Sequence, residues 1–280
     1  MKRLSLFSIF TVLMVMLVSG CGASSTPKDG DKAVKKVDKP LVVAMELAYP
    51  PFEMKDKEGN PSGVSVDLAK DLGKYLGRET VIVNTAWEGL IPSLQTGKAD
   101  VVISSMSRTD DRAKVVDFSI PYAQSTLGIL LRKDSDIQGA KDLNQEGRKI
   151  AVKIGTSGYI YAQKYLKKAE IIALADESAC AAEVAQGKAD AFLYDQLTIL
   201  RRSQDYPNTR AIYAEYAGLE PWCMAVKKGN TELLTKANAF IKEYRKNGGF
   251  EKLSQKYLPE EEKAFREMGF VWFFDVKDSK

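Results

Sequence analysis

Gly97-Lys98-Ala99-Asp100-Val101-Val102-Ile103-Ser104-Ser105-Met106-Ser107 is the stretch on which the fold turns, because its first part occurs twice. Ninety residues further on, Gly187-Lys188-Ala189-Asp190-Ala191-Phe192-Leu193-Tyr194 repeats the tetrapeptide and follows it with a second apolar run. A helical segment precedes each copy, Trp87 to Leu94 in one case and Glu177 to Ala185 in the other. Each glycine suits a helix C-cap, from which the chain turns into a buried strand. The same helix, turn and strand in both halves imply two similar α/β lobes.

The flanking sequence continues the alternation. Leu41 to Met45, Val81 to Val83, Ser125 to Leu131, Ile150 to Lys153, Ile171 to Ala173 and Trp222 to Val226 read as strands. Val66 to Leu76 places apolar residues at 68, 69, 72, 75 and 76, one face of a helix. Gly158 to Leu166 and Leu233 to Tyr244 read as helices too. Strands alternating with helices imply largely parallel sheets with covered faces. Ligands of such sheets sit beyond the strand C-termini.

Those ends carry the polar residues. Val101 to Ile103 runs into Ser104, Ser105 and Ser107, then into Thr109-Asp110-Asp111-Arg112, which starts a helix. Lys153 is followed by Gly155-Thr156-Ser157-Gly158, again opening a helix, and the strand after the second repeat ends at Asp195. Free N–H groups at a helix start favour an anion, and an arginine fork matches a carboxylate. A lone carboxylate can take an ammonium, so the set fits a zwitterion, the α-carboxylate and α-amine of an amino acid. Each member also has a plain structural reading. Arg112 can pair with Asp110 or Asp111, Asp195 can be an N-cap, and residues 155–158 can be an ordinary turn. Tyr49 and Trp87 follow strand-like runs where a ring can wall a cleft, whereas Phe52 reads as core. Glu46 ends the first strand and either faces a cationic ligand tip, caps, or faces water.

The N-terminus sets the compartment. Lys2 and Arg3, the apolar run Leu4 to Val18, and Ser19-Gly20 before Cys21 form a secretory signal over residues 1–20, too short to span a membrane comfortably. Leu17 to Cys21 resembles a bacterial lipobox, which would leave Cys21 lipidated, for instance with palmitate, and the protein held at the outer face of the cell membrane or in the periplasm; an ordinary signal peptide with an incidental cysteine is the alternative. Residues 21–40 are rich in Ser, Lys, Asp, Pro and Gly and read as a flexible tether. Lys+Arg total 41 and Asp+Glu 37, a net charge of +4, too balanced to argue for nucleic acid. Histidine is absent, which removes Ser-His and Cys-His activation and the commonest zinc ligand. Neither a cofactor nor a metal is expected. Cys180 and Cys223, both in apolar surroundings, read as buried free thiols.

From about Leu41 to Leu258 the chain resembles the extracytoplasmic amino-acid-binding proteins of bacterial ABC importers. The resemblance rests on Tyr49-Pro50-Pro51-Phe52, Gly63 to Ala69, Trp87-Glu88-Gly89-Leu90-Ile91-Pro92-Ser93-Leu94 and Ile103 to Ser107. Asp111-Arg112-Ala113, Val116 to Ser119, Pro121-Tyr122 and Gly155-Thr156-Ser157 extend it. It implies a two-lobed periplasmic-binding-protein fold, with two mixed sheets flanked by helices and joined by two hinge strands. Lobe one would be 41–128 plus 226–258, lobe two 129–225, and 259–280 a C-terminal extension packed on lobe one or meeting a partner. Arg112 would clamp the ligand carboxylate with Ser107 and the backbone near Thr156 and Ser157. Asp195 would hold the ammonium with Ser105, beside Ser104, and Tyr49 and Trp87 would sandwich the side chain. Glu46 would face a cationic side chain, and Lys153 stands where glutamine-binding relatives touch an amide. The resemblance thus implies a non-enzymatic, monomeric capture protein for a free L-amino acid, lysine or arginine first and glutamine second, that serves a membrane permease. A receptor for a sensor protein is the alternative reading, and a dehydratase of the same fold a more distant one.

Overall fold

The computed structural model describes residues 39–213 and 220–276. The signal segment 1–20, Cys21 and the tether up to residue 38 lie outside the described residues. The chain runs β1 (Leu41–Met45), β2 (Met54–Lys55), β3 (Pro61–Ser62), α1 (Val64–Leu76) and β4 (Thr80–Asn84). A 3-10 turn at Trp87–Gly89 then leads into α2 (Leu90–Gln95), β5 (Val101–Val102), α3 (Asp110–Val115) and the long β6 (Val116–Ser125). Next come β7 (Leu127–Arg132), β8 (Lys149–Lys153), α4 (Ser157–Tyr165), β9 (Glu170–Leu174) and α5 (Glu177–Ala185). They are followed by β10 (Ala191–Asp195), α6 (Gln196–Asp205) and β11 (Thr209–Tyr213). After residues 214–219, which lie outside the described set, β12 (Glu220–Lys227), α7 (Thr231–Lys246), α8 (Gly249–Tyr257) and α9 (Pro259–Glu267) complete the chain.

Two five-stranded mixed sheets result, in the orders β4-β1-β5-β12-β6 and β11-β7-β10-β8-β9. In the first, β1 pairs in parallel with β4 and β5, and β12 runs antiparallel between β5 and β6. In the second, β8 is parallel to β9 and β10, and β7 runs antiparallel between β10 and β11. Each lobe is therefore a parallel α/β unit, as the repeat implied, with an antiparallel pair added where the chain leaves or re-enters the lobe.

That crossing corrects two readings of the sequence. Residues 125–131 are not one strand: β6 stops at Ser125 and β7 begins at Leu127, and the carbonyl of Thr126 between them accepts the N–H of Gln196 at 3.0 Å. Only the short polar step Gln124-Ser125-Thr126 marks this change of sheet, between apolar residues on either side. Residues 220–225, assigned to lobe two, instead pair with β6 inside the first sheet, Glu220 opposite Ser125 and Trp222 opposite Ala123.

The apolar pattern decides what covers each sheet. Val66, Leu68, Ala69 and Leu72 of α1 are wholly buried, joining Leu41, Val43 and Met45 from β1 and Phe240, Ile241 and Phe250 from α7 and α8. In lobe two the same role falls to Ile129, Leu131, Ile150, Val152 and Leu193 of the sheet, packed against Ala162 and Leu166. Each such large side chain contributes about 1.5–3 kcal/mol by leaving water. Cys180 and Cys223 are unpaired and buried, and burial pushes both thiols up to about 12. The C-terminal extension packs on lobe one, where Phe265, Trp272 and Phe273 are integral to the core.

Candidate functional site

The polar side chains expected at the site hang from strand C-termini or from the helices that follow. Glu46 follows β1, Ser104 to Ser107 follow β5, Thr156 and Ser157 open α4 after β8, and Asp195 ends β10. Glu46, Tyr49, Trp87, Ser104, Ser105, Ser107, Arg112, Thr156, Ser157 and Asp195 line one cavity between the lobes. Lys153 is set back from it, 3 % exposed and ion-paired with Glu46.

The loop after β5 is tightly tied. Ser104 Oγ accepts the N–H of Glu46 at 3.0 Å. Ser105 has φ of 47°, a left-handed conformation rare for a side-chain-bearing residue and characteristic of functional sites. Its N–H donates to the Tyr122 hydroxyl at 3.1 Å and its Oγ to Glu53 Oε1 at 2.9 Å.

Arg112 is presented by α3, whose N-cap Thr109 accepts the Arg112 N–H at 3.3 Å. Its side chain turns inward and does not pair with Asp110 or Asp111; Asp111 pairs with Lys114. Nη1 donates to the Ser107 carbonyl at 2.6 Å, and Nη2 crosses the cleft to the Gly155 carbonyl at 2.7 Å. The guanidinium lies over the Trp87 ring, 5.3 Å from its centroid. Burial lowers its pKa to about 10, opposed by the charge of Glu220, so it stays cationic at neutral pH. Gly155 has φ of +71°, and a Cβ there would lie 3.3 Å from the Trp87 ring, so a side chain at 155 would press on the aromatic wall.

Asp195 carries both of its sequence readings at once. Oδ1 caps α6, accepting the N–H groups of Leu197 and Thr198 at 3.0 and 3.1 Å. Oδ2 is buried with the Tyr49 hydroxyl facing the carboxylate, yet neither atom forms a hydrogen bond of ordinary length and angle among the described residues. Burial raises the pKa of Asp195, and burial followed by the charge of Asp195 raises that of Tyr49. An unpartnered buried carboxylate oxygen costs free energy until a donor reaches it. An ammonium would supply one.

The aromatic wall is continuous with the core. Tyr49 stacks on Phe52 at 5.4 Å and meets Tyr194 and Trp222 edge to face at 6.3 and 6.0 Å. Tyr194 and Trp222 line the cavity and pack against the cores as well.

Two lining residues escaped the sequence reading. Glu53 is wholly buried, and burial raises its carboxyl from 4.5 to about 8 although the Ser105 hydroxyl stabilises the charged form. Glu220 opens β12 and accepts the Ser107 hydroxyl at 3.1 Å. Burial raises its pKa, while Ser157, Ser107 and Arg112 pull it down. A carboxylate beside an apolar run was their one visible signal, and it is a weak one. Counting Glu46, Glu53, Asp195 and Glu220 against Arg112 and Lys153, the site holds more carboxyl groups than cationic ones. Among the described residues no group of three or more His, Cys, Asp or Glu is placed to hold a metal ion.

Comparison with known proteins gives a consistent picture. The family described as bacterial extracellular solute-binding proteins, family 3, matches residues 41–260. The L-cystine-binding protein TcyJ of Escherichia coli K12 is 31% identical over 253 residues, covering 90% of this chain and 94% of that protein. An ancestral arginine-binding protein bound to arginine superposes with a TM-score of 0.73 at 33% identity, covering 79% of this chain and 99% of the other. The ancestral amino acid-binding protein AncCDT-1, a precursor of cyclohexadienyl dehydratase, superposes with a TM-score of 0.71 at 37% identity, covering 78% and 94%.

Proposed function

The chain belongs to the bacterial extracellular solute-binding proteins, family 3, and from that premise we propose that it captures one free polar L-amino acid between its lobes and delivers it to an ABC permease. The single observation that carries this reading is that Arg112 and Asp195 line the same cavity, a buried guanidinium and a buried carboxylate that has the Tyr49 hydroxyl near it and whose Oδ2 makes no well-formed hydrogen bond among the described residues. A zwitterion satisfies both. Arg112, helped by Ser107, Thr156 and Ser157, takes the α-carboxylate; Asp195, with Ser105, takes the α-ammonium; Tyr49 and Trp87 flank the side chain. Closing the lobes on such a ligand is a population shift driven by contacts made to both at once.

Lysine and arginine rank first. Glu46 and the aromatic walls Tyr49 and Trp87 line the cleft, and one structural neighbour is an arginine-binding protein. Glutamine ranks second, because Lys153 neutralises Glu46. The L-cystine-binding relative from Escherichia coli makes cystine a third candidate. Lipidation at Cys21 and residues 21–40 as tether would hold a monomer at the extracytoplasmic face of the membrane.

A thermal-shift screen of the lipid-free domain, refolded to strip bound ligand, against the twenty amino acids, cystine and prephenate tests this. Binding to the folded state alone raises Tm. A large shift with one or a few amino acids is expected. No shift with any of them overturns the proposal, and a shift with prephenate alone redirects it to dehydratase chemistry.

A further inference from the structure

Glu220 stands where a ligand would be expected to put its own negative charge. Its carboxylate lines the cavity beside Ser107, Ser157 and Arg112, the groups assigned above to the ligand carboxylate. Ser107 donates its hydroxyl to Glu220 Oε2 at 3.1 Å. The backbone holds it there from both sides. Glu220 pairs with Ser125 on β6, while the loop carrying Ser107 is laced to the start of β12: the Arg108 N–H donates to the Pro221 carbonyl at 2.9 Å and the Cys223 N–H to the Met106 carbonyl at 3.1 Å. The charges of Glu220 and Arg112 support one another. One donor of the clamp, Ser107, therefore already holds a carboxylate supplied by the chain, while the Arg112 fork donates to the Ser107 and Gly155 carbonyls.

We propose that Glu220 is an affinity- and specificity-setting residue that mimics the ligand's α-carboxylate and competes with it for Ser107 and Ser157, beside Arg112. This inference rests on the capture reading above. An amino acid must displace Glu220 from these donors, so apparent affinity is reduced by the fraction of molecules in which Glu220 occupies the clamp. Ligands with a strong additional anchor, such as a cationic side chain, overcome the competition, and weakly anchored amino acids are rejected. A ligand lacking an α-carboxylate escapes it altogether.

Isothermal titration of wild-type, E220Q and E220A proteins with L-arginine, L-argininamide, L-glutamine and L-glutaminamide is the test. Both variants should bind the free amino acid about tenfold more tightly than wild type and the amide no more tightly. Folding of each variant is checked by its thermal melt, and E220A reports where E220Q does not fold. Binding by a variant alone, with none by wild type, supports the competition. Free amino acid bound with unchanged or lower affinity by the folded variants overturns it, as does an equal gain for acid and amide. No binding of any of the four compounds by any of the proteins overturns the capture reading for these ligands, and this inference with it.

Discussion

Lys153, the last residue of β8 in lobe two, is ion-paired across the cleft with Glu46, which follows β1 in lobe one. Glu46 also accepts the Trp87 N–H at 3.2 Å, so the pair braces the aromatic wall. Lys153 is 3 % exposed, and removing one partner leaves the other charge poorly solvated. E46Q should therefore cost stability, up to about 3 kcal/mol, most of which the double variant E46Q/K153M restores. K153M alone should leave Glu46 unneutralised and move selectivity toward lysine and arginine over glutamine. Chemical denaturation checks the first expectation and competitive titration the second. Additive losses in the double variant, or unchanged selectivity in K153M, would show that the pair is not the determinant.

Arg112 is expected to dominate affinity. R112A removes a buried charged fork, and ligand affinity should fall by about 100-fold or more, each hydrogen bond to a charged group contributing about 1.5–3 kcal/mol. R112K keeps the charge and loses the planar geometry, so it should fall between R112A and wild type. Titration reads this directly. Wild-type affinity in R112A would remove the residue from the site.

Glu53 links the cleft to pH. Its carboxyl ionises at 4.5 in the reference state and at about 8 when folded. Between these values the folded protein holds a proton that the unfolded chain has released. The neutral-state contribution is thus complete below about pH 4.5 and is lost as pH rises toward 8, at no more than about 1.4 kcal/mol per pH unit. E53Q, permanently neutral, should show a flatter stability profile over that window. A ligand ammonium beside Glu53 favours its ionised form, so binding at neutral pH should release protons. The binding enthalpy of wild type would then vary with the ionisation heat of the buffer, and that of E53Q would vary less. Identical pH profiles for the two proteins would refute the assignment.

Much of this was legible in the sequence, and where it was not the reasons are physical. The repeated Gly-Lys-Ala-Asp and the strand ends that follow gave away two lobes, because a C-cap glycine and an apolar run are local signals. Arg112 and Asp195 were visible as charges at those ends. Whether Asp195 capped a helix or faced a ligand was undecidable from the chain, since one carboxylate has two oxygens and the structure gives each a different task. Glu53 and Glu220 stayed hidden because they reach the cleft from a loop and from β12, and their relevance depends on burial against Ser105 and Ser107, distant in sequence. The break at Thr126 was hard to see because Ser125 and Thr126 are residues a strand accepts as readily as a crossing does, so nothing local separates the two.

The C-terminal extension supports the site from behind. Phe273 is wholly buried, 5.2 Å from Phe52 and 5.2 Å from Trp222, and Phe52 in turn stacks under Tyr49. Its carbonyl accepts the N–H of Gln124 at 2.8 Å, covering the edge of β6 just before the chain crosses to lobe two. Further along the same face, Arg201 of α6 pairs with Glu261 of α9 and donates to the Pro50 carbonyl at 2.7 Å, and Tyr213 meets Phe270 edge to face at 4.7 Å. The tail therefore touches both lobes and the loop that carries Tyr49. F273A should cost about 3–5 kcal/mol, the range for emptying a buried phenylalanine site. V271A, at a residue 45 % exposed two positions away, should change stability by less than about 0.5 kcal/mol. Because Phe273 supports Phe52 and Phe52 supports Tyr49, F273A should also weaken ligand binding, whereas V271A should not. Denaturation curves and titrations of the two variants side by side decide it: equal stability for both would mean that the extension is dispensable to the core, and an unchanged ligand affinity in folded F273A would mean that the aromatic wall does not depend on it.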